Sequence, residues 1–316
     1  MKHFLPVIIS LFLTISILSA RPQTIFLQNN AENSLEILSQ SQMDFDIVFS
    51  LGQIQAEEIS TPWGNFTSLE LPDFSGNQMV IGQAFLPEIH KLIDIPYDAE
   101  VQVEVVSTES MEIELTDYQL LQPVLPYQGP IEKTEEALAA HQFQMDQNYY
   151  RQTGYPEQEL VTFEEAGNLR GHRLGLLKIR AVEYLPTLNR IKIYQRIRIH
   201  LIYQNPDLQR TVQIHKKYQS PYFSPLLKEF ALNYTPATED LTQYPVYYAV
   251  IYADMLANAL QPLIDWKLQK GFQVITEPIS AIGNTTTNIR NYIEGLYNGP
   301  NPPTFVLLVG DIEQIA

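Results

Sequence analysis

The stretch Arg190–Gln204, RIKIYQRIRIHLIYQ, decides how the larger part of the chain folds. Ile191, Ile193, Ile197, Ile199, Leu201 and Tyr203 are apolar, and the positions between them include Lys192, Arg196, Arg198 and His200. A period of two places the two sets on opposite faces of a strand, the apolar face towards a core. The basic stripe reads as a solvated sheet face. It can also dock on acidic strands of the same chain, with Glu112 and Glu114 as candidates.

The same grammar extends upstream. HRLGLLKIRAVEYLP (172–186) reads as one further strand, and LPTLN (185–189) as a hairpin-like turn. VQVEVVS (101–107) and MEIEL (111–115) alternate apolar and acidic residues, as two half-buried strands do. TPWGN, LPDFSGN and IPYDAE supply turn signals along 21–130. Short strands at this spacing predict a β-sandwich over residues 21–230. EKTEEALAAHQFQMDQNYY (132–150) breaks the rhythm, lacks proline and glycine, and predicts a helix or helical connection over 131–151.

Downstream, 216–244 is rich in proline and mixed in polarity and reads as a connection, with the linker proper at 231–243. From 244 the pattern changes. VYYAVIY (246–252) is a continuous apolar run, as in a parallel strand covered on both faces. Asp254 is expected to cap a helix over Met255–Lys270 whose Leu256, Leu260, Leu263, Ile264 and Leu268 share a face. Pro262 must sit near an early turn or kink that helix, and Gly271 suits its C′ position. FQVIT (272–276) is the next strand. GNTTTN (283–288) caps a helix over Asn288–Asn298, and TFVLLVGD (304–311) is a third, buried strand. The order βαβαβ predicts a parallel sheet.

Composition narrows the function. A formal net charge of −16 excludes a nucleic-acid-binding surface. The start MKHFLPVIISLFLTISILSA (1–20) has a basic end, an apolar run and small closing residues, as a secretory signal peptide does. The expected destination is the exterior, periplasm or cell surface, with no transmembrane helix after signal removal. There is no cysteine, hence no disulfide and no thiol nucleophile. GxSxG, HExxH, GxxxxGK[ST] and CxxC are all missing. The 6 histidines (3, 90, 141, 172, 200, 215) show no metal-ligand spacing and read as structural or exposed. Asp311 follows a strand end, where open α/β sheets gather ligands. It can bind a metal, orient a histidine or cap the next turn, and the turn is the plainer reading.

Two segments carry a resemblance. YYAVIYADMLANALQPLIDWKLQKGFQV (247–274), TTTNIRNYIEGLYN (285–298) and PPTFVLLVGDIEQI (302–315) resemble the start of the catalytic domain of gingipain-type cysteine peptidases, family C25. GQAFLPEIHKLIDIP (82–96) and NLRGHRLGLLKIRAVEYLPTLNRIKIYQRIRIHLIY (168–203) resemble the gingipain propeptide, with Ala84 where proline is common. The resemblance implies a secreted protease zymogen. Its β-sandwich propeptide covers the active site of a caspase-like domain bearing a histidine–cysteine dyad. Peptide substrates then belong to the full-length enzyme, and calcium is a cofactor of the family, with Asp311 as the one candidate ligand. No catalytic residue carries over, because the family's dyad lies beyond the motif ending at Asp311. The chain is therefore expected to be the front of a zymogen, truncated within its catalytic domain at 244–316 and inactive. The alternative is a stand-alone propeptide-like inhibitor or chaperone of a separate C25 catalytic domain.

Overall fold

A computed structural model describes residues 22–28, 32–235 and 246–316. The expected signal peptide and residues 236–243 of the expected linker lie outside the described residues. Antiparallel pairing organises the β-rich part into three sheets. The first orders β1 (Gln23–Phe26), β4 (Gln53–Thr61) and β5 (Gly64–Glu70). The second orders β10 (Val182–Leu185), β11 (Arg190–Gln204), β3 (Asp44–Ser50) and β2 (Ser34–Gln40), with β7 (Glu100–Glu114) on the other side of β11. The third orders β6 (Ile89–Ile95), β9 (His172–Ile179) and β8 (Val161–Leu169).

The β11 reading holds residue by residue. Its six apolar positions are at most 2% exposed and sit in one core with Ile25 and Ile54 of the first sheet and Ile93 and Leu177 of the third. Three sheets thus close on one core, where the sequence suggested a sandwich. The difference arises at Arg180-Ala181. The segment read as one strand breaks there into β9 and β10, which belong to different sheets. Ala181 is fully buried at the crossing, and the Arg180 side chain turns to Glu88 at 3.1 Å. A second correction concerns β7, read as two strands. STES (107–110) holds no glycine or proline to stop it, and the full length of β11 pairs with it from Arg190↔Glu114 to Gln204↔Glu100. Register shifts near Tyr194/Arg196 and Arg198/Ile199 absorb the twist of so long a pair.

Two of the four residues of the basic stripe pair with acidic side chains of their own sheet. Arg198 reaches Asp46 at 2.6 Å and Lys192 reaches Glu183 at 3.6 Å. Glu112 and Glu114 are taken by Arg190, at 2.9 and 2.6 Å, rather than by the stripe. The helix expected over 131–151 is only α1 (Glu135–Ala140) and α2 (Gln147–Tyr150). Between them tertiary contacts override helix propensity. The Gln128 side-chain amide bonds both the N–H and the carbonyl of Gln144, and Phe143 stacks on Trp63 at 5.3 Å. The expected connection after 216 is also partly helical, with α3 (Leu208–Tyr218) capped by Asp207 and α4 (Ser224–Phe230) begun by a proline.

The last part is βαβαβ as expected. β12 (Val246–Tyr252) lies between β13 (Phe272–Pro278) and β14 (Phe305–Val309), parallel to both. α5 (Ala257–Gln269) and α7 (Thr286–Asn298) make the crossovers, with α6 (Ile279–Ile282) between β13 and α7. Gly271 ends α5 at φ +85° and Thr285 caps α7, as the sequence suggested. Pro262 is accommodated inside α5. Asp254 does not cap α5. A single 3₁₀ turn over Asp254–Leu256 intervenes, and the carboxylate binds the Ser280 amide at 3.2 Å and the Ser280 hydroxyl. Of the expected apolar face only Leu260 is buried, and Leu268 is 51% exposed. Strand β14 is likewise not covered on both faces, since Val306 and Leu308 are exposed.

Candidate functional site

The seam between the β-rich part and the parallel sheet is built on a tight turn. Leu169 pairs with His172, so Arg170 and Gly171 form the loop of the β8–β9 hairpin, at φ +51° and +80°. Two left-handed residues in a two-residue loop make a type I′ turn, which ordinarily favours Asn-Gly. Glycine is required at the second position for a further reason. A Cβ there would lie 3.0 Å from both Ile214 Cγ2 and Tyr218 Cδ2, so α3 packs directly on the turn.

The turn aims Arg170 into the seam, where it is 9% exposed. Its Nε donates to the Tyr218 carbonyl at 3.2 Å, and its Nη1 donates to the Pro303 carbonyl at 3.0 Å. The guanidinium lies 5.5 Å from the Phe223 ring centre and 5.9 Å from that of Tyr297. Carbonyls and ring faces receive its charge, in the manner suited to a weakly hydrated guanidinium. Burial lowers its pKa, but arginine remains charged.

Aromatic contacts extend the seam. Tyr218 stacks on Tyr297 at 4.8 Å and 20°. Tyr222 meets Phe272 at 5.7 Å and Phe305 at 5.2 Å. Lys217 Nζ donates to the Asn298 carbonyl at 2.9 Å. Phe272 and Phe305 are the first residues of β13 and β14. The β-rich part therefore seats on the amino ends of the parallel strands.

The opposite ends of those strands keep their bonds to themselves. Asn284 donates to the Gln314 carbonyl and accepts from the Ala316 amide. Asp311 sits in a turn: its carboxylate accepts from the Ile312 amide at 2.7 Å, and its carbonyl accepts from Gln314 and Ile315. Among the described residues Asp311 belongs to no group of three or more potential metal ligands.

The fold also gathers two of the histidines that sequence spacing left apart. His172 of β9 and His215 of α3 stack with ring centres 3.8 Å apart. His172 Nδ1 lies 2.8 Å from Asp94 Oδ2 of β6, and His215 Nε2 lies 4.0 Å from Asp94 Oδ1. Burial, reinforced by His172, pushes the His215 pKa down to about 4. Neither this cluster nor Arg170 was singled out by sequence reading. The Arg-Gly pair between two alternating runs was the one available signal of the turn; nothing in the spacing of Asp94, His172 and His215 announces their meeting.

The described chain thus has two parts, a β-rich body and a βαβαβ parallel unit seated on it. Residues 27–221 match the C25 propeptide family (Propeptide_C25), and residues 241–315 match peptidase family C25. The chain belongs to the gingipain-type C25 family, as its propeptide and the start of its catalytic domain. It is 29% identical to Lys-gingipain HG66 of Porphyromonas gingivalis over 281 residues, 86% of this chain and 16% of that protein. It is 22% identical to gingipain R1 of the same organism over 276 residues, 85% of this chain and 26% of that one. A solved structure concerned with the zymogenic latency of gingipain K from Porphyromonas gingivalis matches at TM-score 0.54 and 26% identity. It covers 58% of this chain and 99% of that one. No helix of the described residues is long and apolar enough to cross a membrane.

Proposed function

We propose that residues 21–230 are the latency domain of a secreted gingipain-like cysteine endopeptidase zymogen. Residues 231–243 are its linker, and residues 244–316 open a caspase-like catalytic domain. The observation that carries this reading is the seam pinned by Arg170, where a β-rich part matching the C25 propeptide grips strands matching the C25 enzyme. The composition of residues 1–20 supports export. Such an enzyme attacks the peptide carbonyl with a thiolate stabilised by an imidazolium. The 316 residues contain no cysteine, so this chain on its own lacks the thiolate nucleophile of the family's reaction. The partner of the β-rich part is a C25 catalytic domain.

That partner can also be a separate molecule. The main core draws only on residues between Ile25 and Tyr203 for its buried members, which favours independent folding of the β-rich part. The test uses residues 22–235 added to a mature gingipain-type peptidase cleaving a fluorogenic peptide. The expected result is saturable inhibition, with no turnover by the 316-residue chain alone. A fragment that is folded by circular dichroism yet leaves the peptidase uninhibited at micromolar concentration contradicts the proposal, as does turnover by the chain itself.

A further inference from the structure

The meeting of Asp94, His172 and His215 serves no step in the proposed latency mechanism. Each residue offers one ligand atom, and these atoms all lie within 4.8 Å of one another. Asp94 Oδ1 and His215 Nε2 are both buried and have no hydrogen-bond partner. Leaving two such atoms unpaired costs about 1–3 kcal/mol each unless something sits between them. They face each other at 4.0 Å. Two ligands about 2.0–2.2 Å from a tetrahedral ion lie about 3.4 Å apart, which the 4.0 Å gap approaches, and the two imidazole rings must turn out of their 3.8 Å stack to aim both lone pairs at one ion.

We infer that Asp94, His172 and His215 form a site for a zinc-class divalent ion that fastens α3 to β6 and β9. Two imidazoles and one carboxylate, without thiolate, suit zinc or its borderline neighbours and not calcium or magnesium, which take oxygen ligands. A fourth position is left to water. The supporting frame is already in place. Asn233 Oδ1 accepts from the Asp94 amide at 2.7 Å, and Asn233 Nδ2 donates to the Asp94 carbonyl at 2.8 Å. The Tyr234 ring meets His172 edge-on at 5.1 Å. Gly171 lets α3 approach closely enough for His215, next to Ile214, to reach the sheet. Because the same helix carries Tyr218, whose carbonyl holds Arg170, an ion here stiffens the support of the seam.

The test is zinc titration of the tag-free 316-residue chain in competition with a chromogenic chelator. One equivalent is expected to bind with Kd below about 1 μM. Zinc is expected to raise the melting temperature. His215→Ala and Asp94→Asn should each weaken binding at least about tenfold and abolish that rise, whereas His141→Ala should change neither. Should a variant fail to fold, the cobalt(II) spectrum of the unmodified chain decides: intense tetrahedral d–d bands support the site, and only the weak spectrum of the hydrated ion overturns it. Absence of a stoichiometric zinc ion, or unchanged affinity in both variants, likewise overturns it.

Discussion

Arg170 concentrates the physics of the seam. Its two carbonyl bonds and two ring faces replace the water it loses. Arg170→Ala is expected to weaken docking by about 2 kcal/mol, and Arg170→Lys to recover only part, because an ammonium cannot fork to two carbonyls and stack. Urea-dependent exposure of residues 246–316 to protease measures this. Gly171→Ala should destabilise by about 1–2 kcal/mol, since alanine is strained at φ +80° and its Cβ meets Ile214 and Tyr218. Asp46 supplies the pH prediction. The bond from Arg198 holds its carboxyl below the ordinary 3.8. A carboxylate lowered in the folded state contributes stability above its unfolded pKa and loses it as pH falls through the folded one. Asp46→Asn should therefore cost stability at neutral pH, and the gap to the parent should close in acid below pH 3.8, as denaturant melts across that range would reveal.

At the scale of elements, β11 is where sequence and structure agree most closely. Its alternation alone identifies the strand and the buried face. Ile199→Ala should cost about 2–5 kcal/mol, because Ile199 is fully buried between β7 and β3, whereas Arg196→Ala, on the outer face, should cost under about 0.5 kcal/mol. The βαβαβ order of the parallel unit was legible too, through its apolar runs and the Gly271 and Thr285 helix ends, whereas the Asp254 cap and the buried faces of α5 and β14 were misread. What could not be read were properties that belong to pairs of distant segments. The length of β7 is set by β11, and the break at Arg180-Ala181 by the change of sheet. The loss of helix over 141–146 is set by Gln128 and Trp63, far upstream. The candidate site was illegible for the same reason. Asp94, His172 and His215 lie on β6, β9 and α3, and only the packing of α3 on the Arg170-Gly171 turn brings them together.

At the scale of the whole molecule, the propeptide carries its own core and seats on the amino ends of the first strands of the peptidase domain. The far ends of those strands are tied by Asp254 to Ser280, by Ala253 to Val309 and by Asn284 to Gln314 and Ala316. Hydrogen–deuterium exchange on the intact chain and on Arg170→Ala tests this account most directly. It predicts that loss of the guanidinium speeds exchange across β12 and β14 by at least about tenfold while β11 stays protected. Unchanged protection of β12 and β14 in a folded Arg170→Ala chain would contradict it.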